Sequence, residues 1–171
     1  MPIDSAQKVA AVISDAGGEI VGRTRLQKIV YLLSIAGLEE GFSFSYRHYG
    51  PYSEILAMAA RDANLLGLVS ETECQTNWGG AYSIYTATRR SEPPIPNARR
   101  ILASKAAAAN AVELELAATA VFLAKEGCNE PWTETARRKP EKAENNRIDR
   151  AKILYRELCA ISTPAGWPDI V

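Results

Sequence analysis

Arg25-Leu26-Gln27-Lys28-Ile29-Val30-Tyr31-Leu32-Leu33, followed at a short interval by Tyr46-Arg47-His48-Tyr49-Gly50-Pro51-Tyr52-Ser53, is the stretch that decides the fold. Leu26, Ile29, Val30 and Leu33 recur at helical spacing and make one apolar stripe. Thr24 with Gln27 three residues on reads as a capping box, which predicts a helix from Thr24. Gly37 suits its left-handed C′ position, with Leu38 folding back onto Leu33 in a Schellman motif. Residues 42–49 alternate aromatic and polar side chains, as a strand or extended chain does. Gly50 and Pro51 make a structural turn. Pro51 is expected in the first turn of the next helix, where its missing N–H costs nothing. That helix is expected to reach about Leu66, with Ile55, Leu56, Ala59, Ala63 and Leu66 inward and Gly67 closing it.

Working outward, residues 4–16 carry Ala6, Val9, Val12, Ile13 and Ala16 at helical spacing, with Asp4 as the expected N-cap and Gln7 its partner. Gly17-Gly18 stops this helix, and Ile20-Val21 reads as a very short strand. Beyond Gly67, residues 68–71 and 81–86 read as two strands joined by a turn at Asn77-Trp78-Gly79-Gly80. Three helices and then a hairpin is the order of a winged helix, with residues 74–82 as the wing.

The expected fold is therefore mainly α with a small antiparallel β-hairpin. It divides into a winged-helix-like part (residues 1–90), a proline-rich linker (91–97, with Pro93, Pro94 and Pro96) and a helical C-terminal part (98–171) packed on the first as one unit. In that second part Asn97 caps a segment with an Ala-rich middle at 106–109. Leu114, Ala117, Ala118, Val121, Phe122 and Ala124 then supply an apolar face up to Gly127. A short helix follows Pro131 through Trp132 and Ala136. A last one spans about residues 147–161, offering Ile148, Ala151, Ile153, Leu154 and Leu158 for packing, and an extended tail follows.

The 171 residues are 47% hydrophobic and 23% charged, the make-up of an ordinary globular chain with a real core. The N-terminus shows no basic, apolar and small-residue leader, and no apolar run reaches the ~18 residues that span a bilayer. A cytoplasmic protein without a membrane partner is expected. Cys74, Cys128 and Cys159 are odd in number and far apart, which argues for reduced, packing thiols. Net charge is zero but uneven. Residues 1–88 hold 6 Lys and Arg against 9 Asp and Glu, or −3, and residues 89–171 hold 14 against 11, or +3. A dedicated DNA-binding half is usually basic, whereas the recognition-like half here is mildly acidic.

Catalytic templates are missing. One histidine excludes His-rich metal ligation, no glycine-rich phosphate loop occurs, and no Gly-x-Ser-x-Gly elbow is present. Spacing alone does not support His48 as a general base near Cys74 or Ser53, and Glu113 and Glu115 fall on different helix faces. No catalytic residue, metal site or cofactor is expected. Arg137-Arg138-Lys139, with Lys142, Arg147, Arg150, Lys152 and Arg156, alternates with acidic residues and reads as a solvated helix surface. Arg89-Arg90 and Arg99-Arg100 flank the linker, where they could meet nucleic acid or an acidic partner. Tyr46, Tyr49 and Tyr52, with Arg47 and His48, are of types that carry interface energy. They either face a partner or pack on Leu33 and Ile55 to fix the helix angle.

The run from Thr24 to Leu32, then His48-Tyr49-Gly50-Pro51-Tyr52-Ser53, then a helix ending Leu66-Gly67-Leu68-Val69, resembles the Panacea/SocA-like domain and related small bacterial and archaeal proteins. The best-matching part covers about residues 5–88. The family's motif positions correspond to Leu26, Gln27, Lys28, Tyr31, Tyr49, Gly50, Pro51, Tyr52 and Ser53. More loosely, residues 114–125, Trp132 and Arg138-Lys139-Pro140 resemble the C-terminal part of some of those proteins. The Ala-rich segment 103–111 and the proline-rich linker depart from the pattern. The resemblance implies a non-enzymatic role, as an antitoxin that neutralises a partner by direct binding or as an adaptor that delivers it to a protease.

The expected partner is thus a protein, a cognate toxin or a protease. The face expected to hold it comprises Arg23, Arg25, Gln27, Lys28 and Tyr31 from the helix, and Arg47, His48, Tyr49, Tyr52 and Ser53 from the link. The alternative is a winged-helix DNA-binding regulator using helix 53–66 and the Trp78 wing. That helix offers only Arg61 as a base, against Glu54 and Asp62.

Overall fold

A computed structural model describes residues 2–89 and 95–170. Most of the linker (residues 91–94, with Arg90 before it) lies outside the described residues. Seven helices and five strands are present among the described residues. In the first half these are α1 (Pro2–Asp15), β1 (Glu19–Val21), α2 (Arg23–Ile35), β2 (Ser45–Arg47), β3 (Gly50–Tyr52), α3 (Glu54–Leu65), β4 (Val69–Gln75) and β5 (Ala81–Ala87). The second half adds α4 (Ala98–Ala108), α5 (Ala111–Lys125), α6 (Pro131–Arg138) and α7 (Arg147–Cys159).

The strands form two small antiparallel sheets. β1, β5 and β4 lie side by side in that order, with Val21 opposite Ile84 and Cys74 opposite Tyr82. β2 and β3 make a separate ribbon, with Tyr46 opposite Pro51. One hydrophobic cluster runs through both halves, from Val9, Ile13, Leu32 and Leu33 to Leu102, Leu114, Val121 and Leu158. α5 is its axis, with Leu114, Leu116, Ala117, Ala118, Ala120 and Val121 all fully buried. α4 packs on α1 and α2, and α5 packs on α2, β3, α6 and α7.

Several punctuation signals act as expected. α2 ends in a Schellman motif: the Leu38 N–H donates to Leu33 O at 2.8 Å and the Gly37 N–H to Ser34 O at 3.2 Å. The same pair of bonds closes α3 at Gly67. Asn97 caps α4 by accepting from the Arg100 N–H. A second cap, not anticipated, divides the Ala-rich segment from the apolar one: Asn110 Oδ1 accepts from the Val112 and Glu113 N–H groups and starts α5.

Others are corrected. α1 begins at Pro2, so Asp4 lies in its first turn, where a carboxylate favours the helix dipole without capping. α2 starts at Arg23 with Gly22 as its cap residue, so Thr24 caps nothing and Gln27 serves elsewhere. Gly22 is pinned instead by its N–H, which donates to Ser83 O on β5 at 2.7 Å. Pro51 sits in β3 and not in a helix. α3 begins three residues later, capped by Ser53 Oγ accepting from the Leu56 N–H at 3.2 Å. Strand β2 covers only residues 45–47 of the extended stretch. Ile55, Leu66 and Ile153 are exposed, because the buried stripe of α3 is Leu56, Ala59, Ala60 and Ala63, and that of α7 is Ala151, Leu154, Tyr155 and Leu158.

The tail is extended and straps the second half to the first. The Ala165 N–H donates to Ala36 O, the Trp132 indole to Ile170 O and the Tyr155 hydroxyl to Pro168 O. Arg99 also ties the halves, donating to Asp15, Leu38 O and Glu39. It is thus committed to internal contacts rather than to an outside partner.

Candidate functional site

An open cleft of about 930 Å³ lies where the first turns of α2, the β2–β3 ribbon, the start of α3 and the face of the β1-β5-β4 sheet meet. Arg23, Arg25, Gln27 and Lys28 reach it from α2, and Arg47, His48, Tyr49 and Tyr52 from the ribbon. The remaining two residues of the expected face, Tyr31 and Ser53, do not line it. Tyr31 is 4% exposed and packs edge-on against Phe44 and beside Phe122, and burial pushes its hydroxyl well above the ordinary tyrosine range. Ser53 is fully buried as the α3 cap.

Side chains from both halves hold the ribbon by its backbone. The Gln27 amide donates to Ser53 O at 3.0 Å and accepts from the Ser53 N–H at 2.8 Å, so one side chain replaces a strand partner. Lys28 Nζ donates to Pro51 O at 2.7 Å, and Lys139 Nζ, from beyond α6, donates to His48 O at 3.1 Å. Gly50 has φ +93°, and a Cβ there would stand 2.5 Å from Thr119 Oγ1 on α5. Only glycine lets the ribbon approach α5 this closely. That hydroxyl is buried and has no hydrogen-bond partner among the described residues.

Beneath the corner lies a buried charge cluster. Glu115, 6% exposed, is ion-paired with Lys139 at 3.1 Å and accepts from Lys142 at 2.7 Å. Lys28, 1% exposed, stands near all three, and its amine is depressed to about 7. Burial is the main cause. Lys139 and Lys142 push the same way, and Glu115 partly opposes them.

The ring faces are occupied by cations. Arg138 stands 4.9 Å from the Tyr46 centroid, Lys142 4.6 Å from Tyr49 and Arg47 5.7 Å from Tyr52, while His48 meets Tyr49 edge-on. Tyr46 also packs on Phe122 of α5, so Tyr46 and Tyr49 contact the second half, whereas Tyr52 meets Arg47 of its own ribbon. Tyr49 remains half exposed.

At the opposite wall Arg23 pairs with Glu71 at 2.9 Å, and Ser83 Oγ donates to the same carboxylate at 2.7 Å. The hydrogen bond from Arg23 to Glu71 raises the guanidinium above its ordinary value. Burial, with Glu71 alongside, pushes Tyr85 up to about 12. Arg25 differs. Its Nε donates to Val21 O, and its Nη1 to Ala107 O and Ala109 O at the end of α4, where the helix dipole favours a cation.

Sequence reading missed Glu115, Lys139, Lys142 and Glu71. Lys139 and Lys142 belonged to a cluster taken as solvated surface, a reading that holds for Arg137 and Arg138, both paired with Glu134. The available signal was Glu115 itself: a carboxylate inside a run of Leu, Ala and Val needs buried cations to compensate it. Among the described residues no group of three His, Cys, Asp or Glu side chains is placed to hold a metal, and no helix is long and apolar enough to cross a membrane.

No family model matches the chain, and no solved structure does. Among curated proteins it is similar to "Uncharacterized protein YwgA" of Bacillus subtilis (strain 168), 35% identical over 66 residues. That match covers 39% of this chain and 39% of the relative's length.

Proposed function

We propose that this chain is a non-enzymatic protein-binding module of antitoxin or proteolytic-adaptor type, which holds its partner at the cleft between α2 and the β2–β3 ribbon. The observation that carries the reading is the convergence of Arg23, Arg25, Gln27, Lys28, Arg47, His48, Tyr49 and Tyr52, eight of the ten expected face residues, on one open concavity. Large aromatic bodies beside guanidinium groups are the composition of interface hot spots. The resemblance of the Gln27-Lys28 and Tyr49–Ser53 motifs to the Panacea/SocA-like domain supports the same class. The partner is a cytoplasmic protein, a cognate toxin or a protease.

Co-purification with the product of an adjacent gene tests this. Tyr49→Ala combined with Arg47→Ala should weaken that complex by at least about tenfold, the loss of one hot-spot contact. Full affinity in the double variant would remove the cleft from the interface.

A second reading, a winged-helix DNA-binding regulator, is supported by the element order and by β1 pairing with β5 beside β4. The outer face of α3 speaks against it, since Ile55, Met58 and Leu65 are exposed there beside Arg61, Glu54 and Asp62. A gel shift on the chain's own promoter, lost steeply as salt rises, would favour DNA.

A further inference from the structure

Residues 1–88 carry six Lys and Arg, and all but Lys8 line the cleft, together with the chain's one histidine. An acidic half has gathered its cations into a single concavity. Lys142 joins them from the second half, giving six cationic side chains against four carboxylates (Glu54, Glu71, Glu73 and Glu115). Arg23 with Glu71, and Lys142 with Lys139 on Glu115, are paired already, which leaves Arg25, Lys28, Arg47 and Arg61 against Glu54 and Glu73.

The floor is the more telling part. Arg25 and Lys28 are held by carbonyl oxygens, and among the described residues neither is ion-paired. Carbonyl dipoles orient a cation without cancelling its charge, and low-dielectric walls focus the remaining field into the concavity. Burial lowers both groups below their ordinary pKa, the mark of cations that an incoming anion would stabilise.

We propose that the cleft seats an acidic, extended segment of the partner protein, its carboxylates met by Arg47 and Arg61 at the mouth and by the field of Arg25 and Lys28 at the floor. This rests on the protein-binding reading above and names the chemistry of what is bound. A volume of about 930 Å³, open to one side, fits several residues of chain better than a single small anion. Nucleic acid fits less well. Tyr49 and Tyr52, the tyrosines of the ribbon that line the cleft, each carry a cation over the ring, which leaves fewer faces for bases to stack on. The cations also line a hollow rather than a stripe along the outer face of α3.

The test is fluorescence anisotropy on the full chain with labelled octa-glutamate, octa-lysine and an eight-nucleotide oligothymidylate. Octa-glutamate should bind and the other two should not. Arg47→Glu should weaken binding at least about tenfold, whereas Arg150→Glu, a charge reversal on the exposed face of α7, should change it less than about twofold. With lysine side chains carbon-13 labelled, the Lys28 titration midpoint should rise when the peptide saturates the chain. Equal binding of octa-lysine, tighter binding of the oligonucleotide, equal damage from both arginine variants, or an unmoved Lys28 midpoint would each overturn the proposal. An adjacent-gene product that binds undisturbed by saturating octa-glutamate would also overturn it, while leaving the protein-binding reading intact. Octa-glutamate bound at Arg47 with no protein partner found would sink that reading and leave the acidic-ligand site standing.

Discussion

The chain contains two antiparallel ribbons, built on opposite plans. β4–β5 pairs seven residues on each strand, from Val69 with Ala87 to Gln75 with Ala81, and is closed by its own turn. Its tip, with Trp78 85% exposed, is held by local bonds such as Thr76 N–H to Gly80 O. β2–β3 pairs only three, too few to persist alone. It is positioned from outside, by Gln27 and Lys28 of α2, by Lys139 and by the close approach of Gly50 to α5. The long ribbon is closed by its own turn and flanked by β1 of the same half, while the short one is an assembly product of both halves. Arg47, His48, Tyr49 and Tyr52, proposed to meet a partner, therefore stand on the element whose geometry depends on the rest of the fold.

The two positive-φ glycines at the turns of these ribbons give the sharpest contrast. Gly50→Ala combines left-handed backbone strain with a Cβ driven against Thr119, and should cost about 4 kcal/mol. Gly79→Ala has comparable φ (+88°) but nothing within 4 Å of the new methyl, so it should cost about 1 kcal/mol. Urea midpoints at constant m-value measure both. Equal costs would mean that α5 does not constrain the corner. Pairing Gly50→Ala with Thr119→Ala should recover the steric part and leave the strain.

Next in size is the charge cluster under the short ribbon. Glu115→Gln leaves Lys139 and Lys142 without their carboxylate, Lys139 almost fully buried, at a cost of about 3 kcal/mol. Because Lys139 also bonds His48 O, the Tyr46–Tyr49 resonances should shift in the variant while those of the β4–β5 tip stay in place. Unchanged corner resonances would show that the cluster does not position the ribbon.

Lys28 gives a pH signature to the same region. Its amine titrates near 7 in the fold and near 10.5 when unfolded, so the unfolded chain holds the extra proton between those values. Stability contributed by this site therefore rises with pH from about 7, and the penalty of burying the charged form is fully present below that. The groups facing it are Glu115, Lys139 and Lys142. Above pH 10 the raised tyrosines Tyr31 and Tyr85 act in the opposite sense, so the useful window closes near there. Relative to Lys28→Met, the parent chain should gain about 2 kcal/mol between pH 7 and pH 9. Parallel stability profiles for parent and variant would contradict the depressed amine.

What could be read from sequence follows the same division. Local rules located α2, α3 and the long hairpin, because Gly37, Gly67 and the alternating strands signal through neighbouring residues. They also brought eight of the ten expected face residues to one cleft, since aromatic and guanidinium types near a Gly-Pro corner select themselves. They misassigned Pro51 and Gln27, whose roles are fixed by bonds between residues 23 or more positions apart, Lys28 to Pro51 and Gln27 to Ser53. They also missed Lys139 and Lys142, because a cation in a mixed-charge helix looks solvated until its carboxylate is known to lie buried, here 27 residues away. Burial that depends on how two halves pack leaves little trace in local spacing.

The smallest expected effect bears on the long ribbon and on the choice between the two functional readings. Trp78 stands exposed at the tip of the β4–β5 hairpin, so Trp78→Ala should shift stability by less than about 0.5 kcal/mol, as exposed substitutions do. If the cleft is the binding site, the same variant should hold octa-glutamate and the protein partner at parent affinity, since Trp78 does not line it. A DNA-binding wing would behave differently. Loss of an exposed indole at its tip should weaken promoter binding and leave the cleft's ligands unaffected. One variant with no folding cost thus separates a recognition surface built by both halves from one carried by a single hairpin.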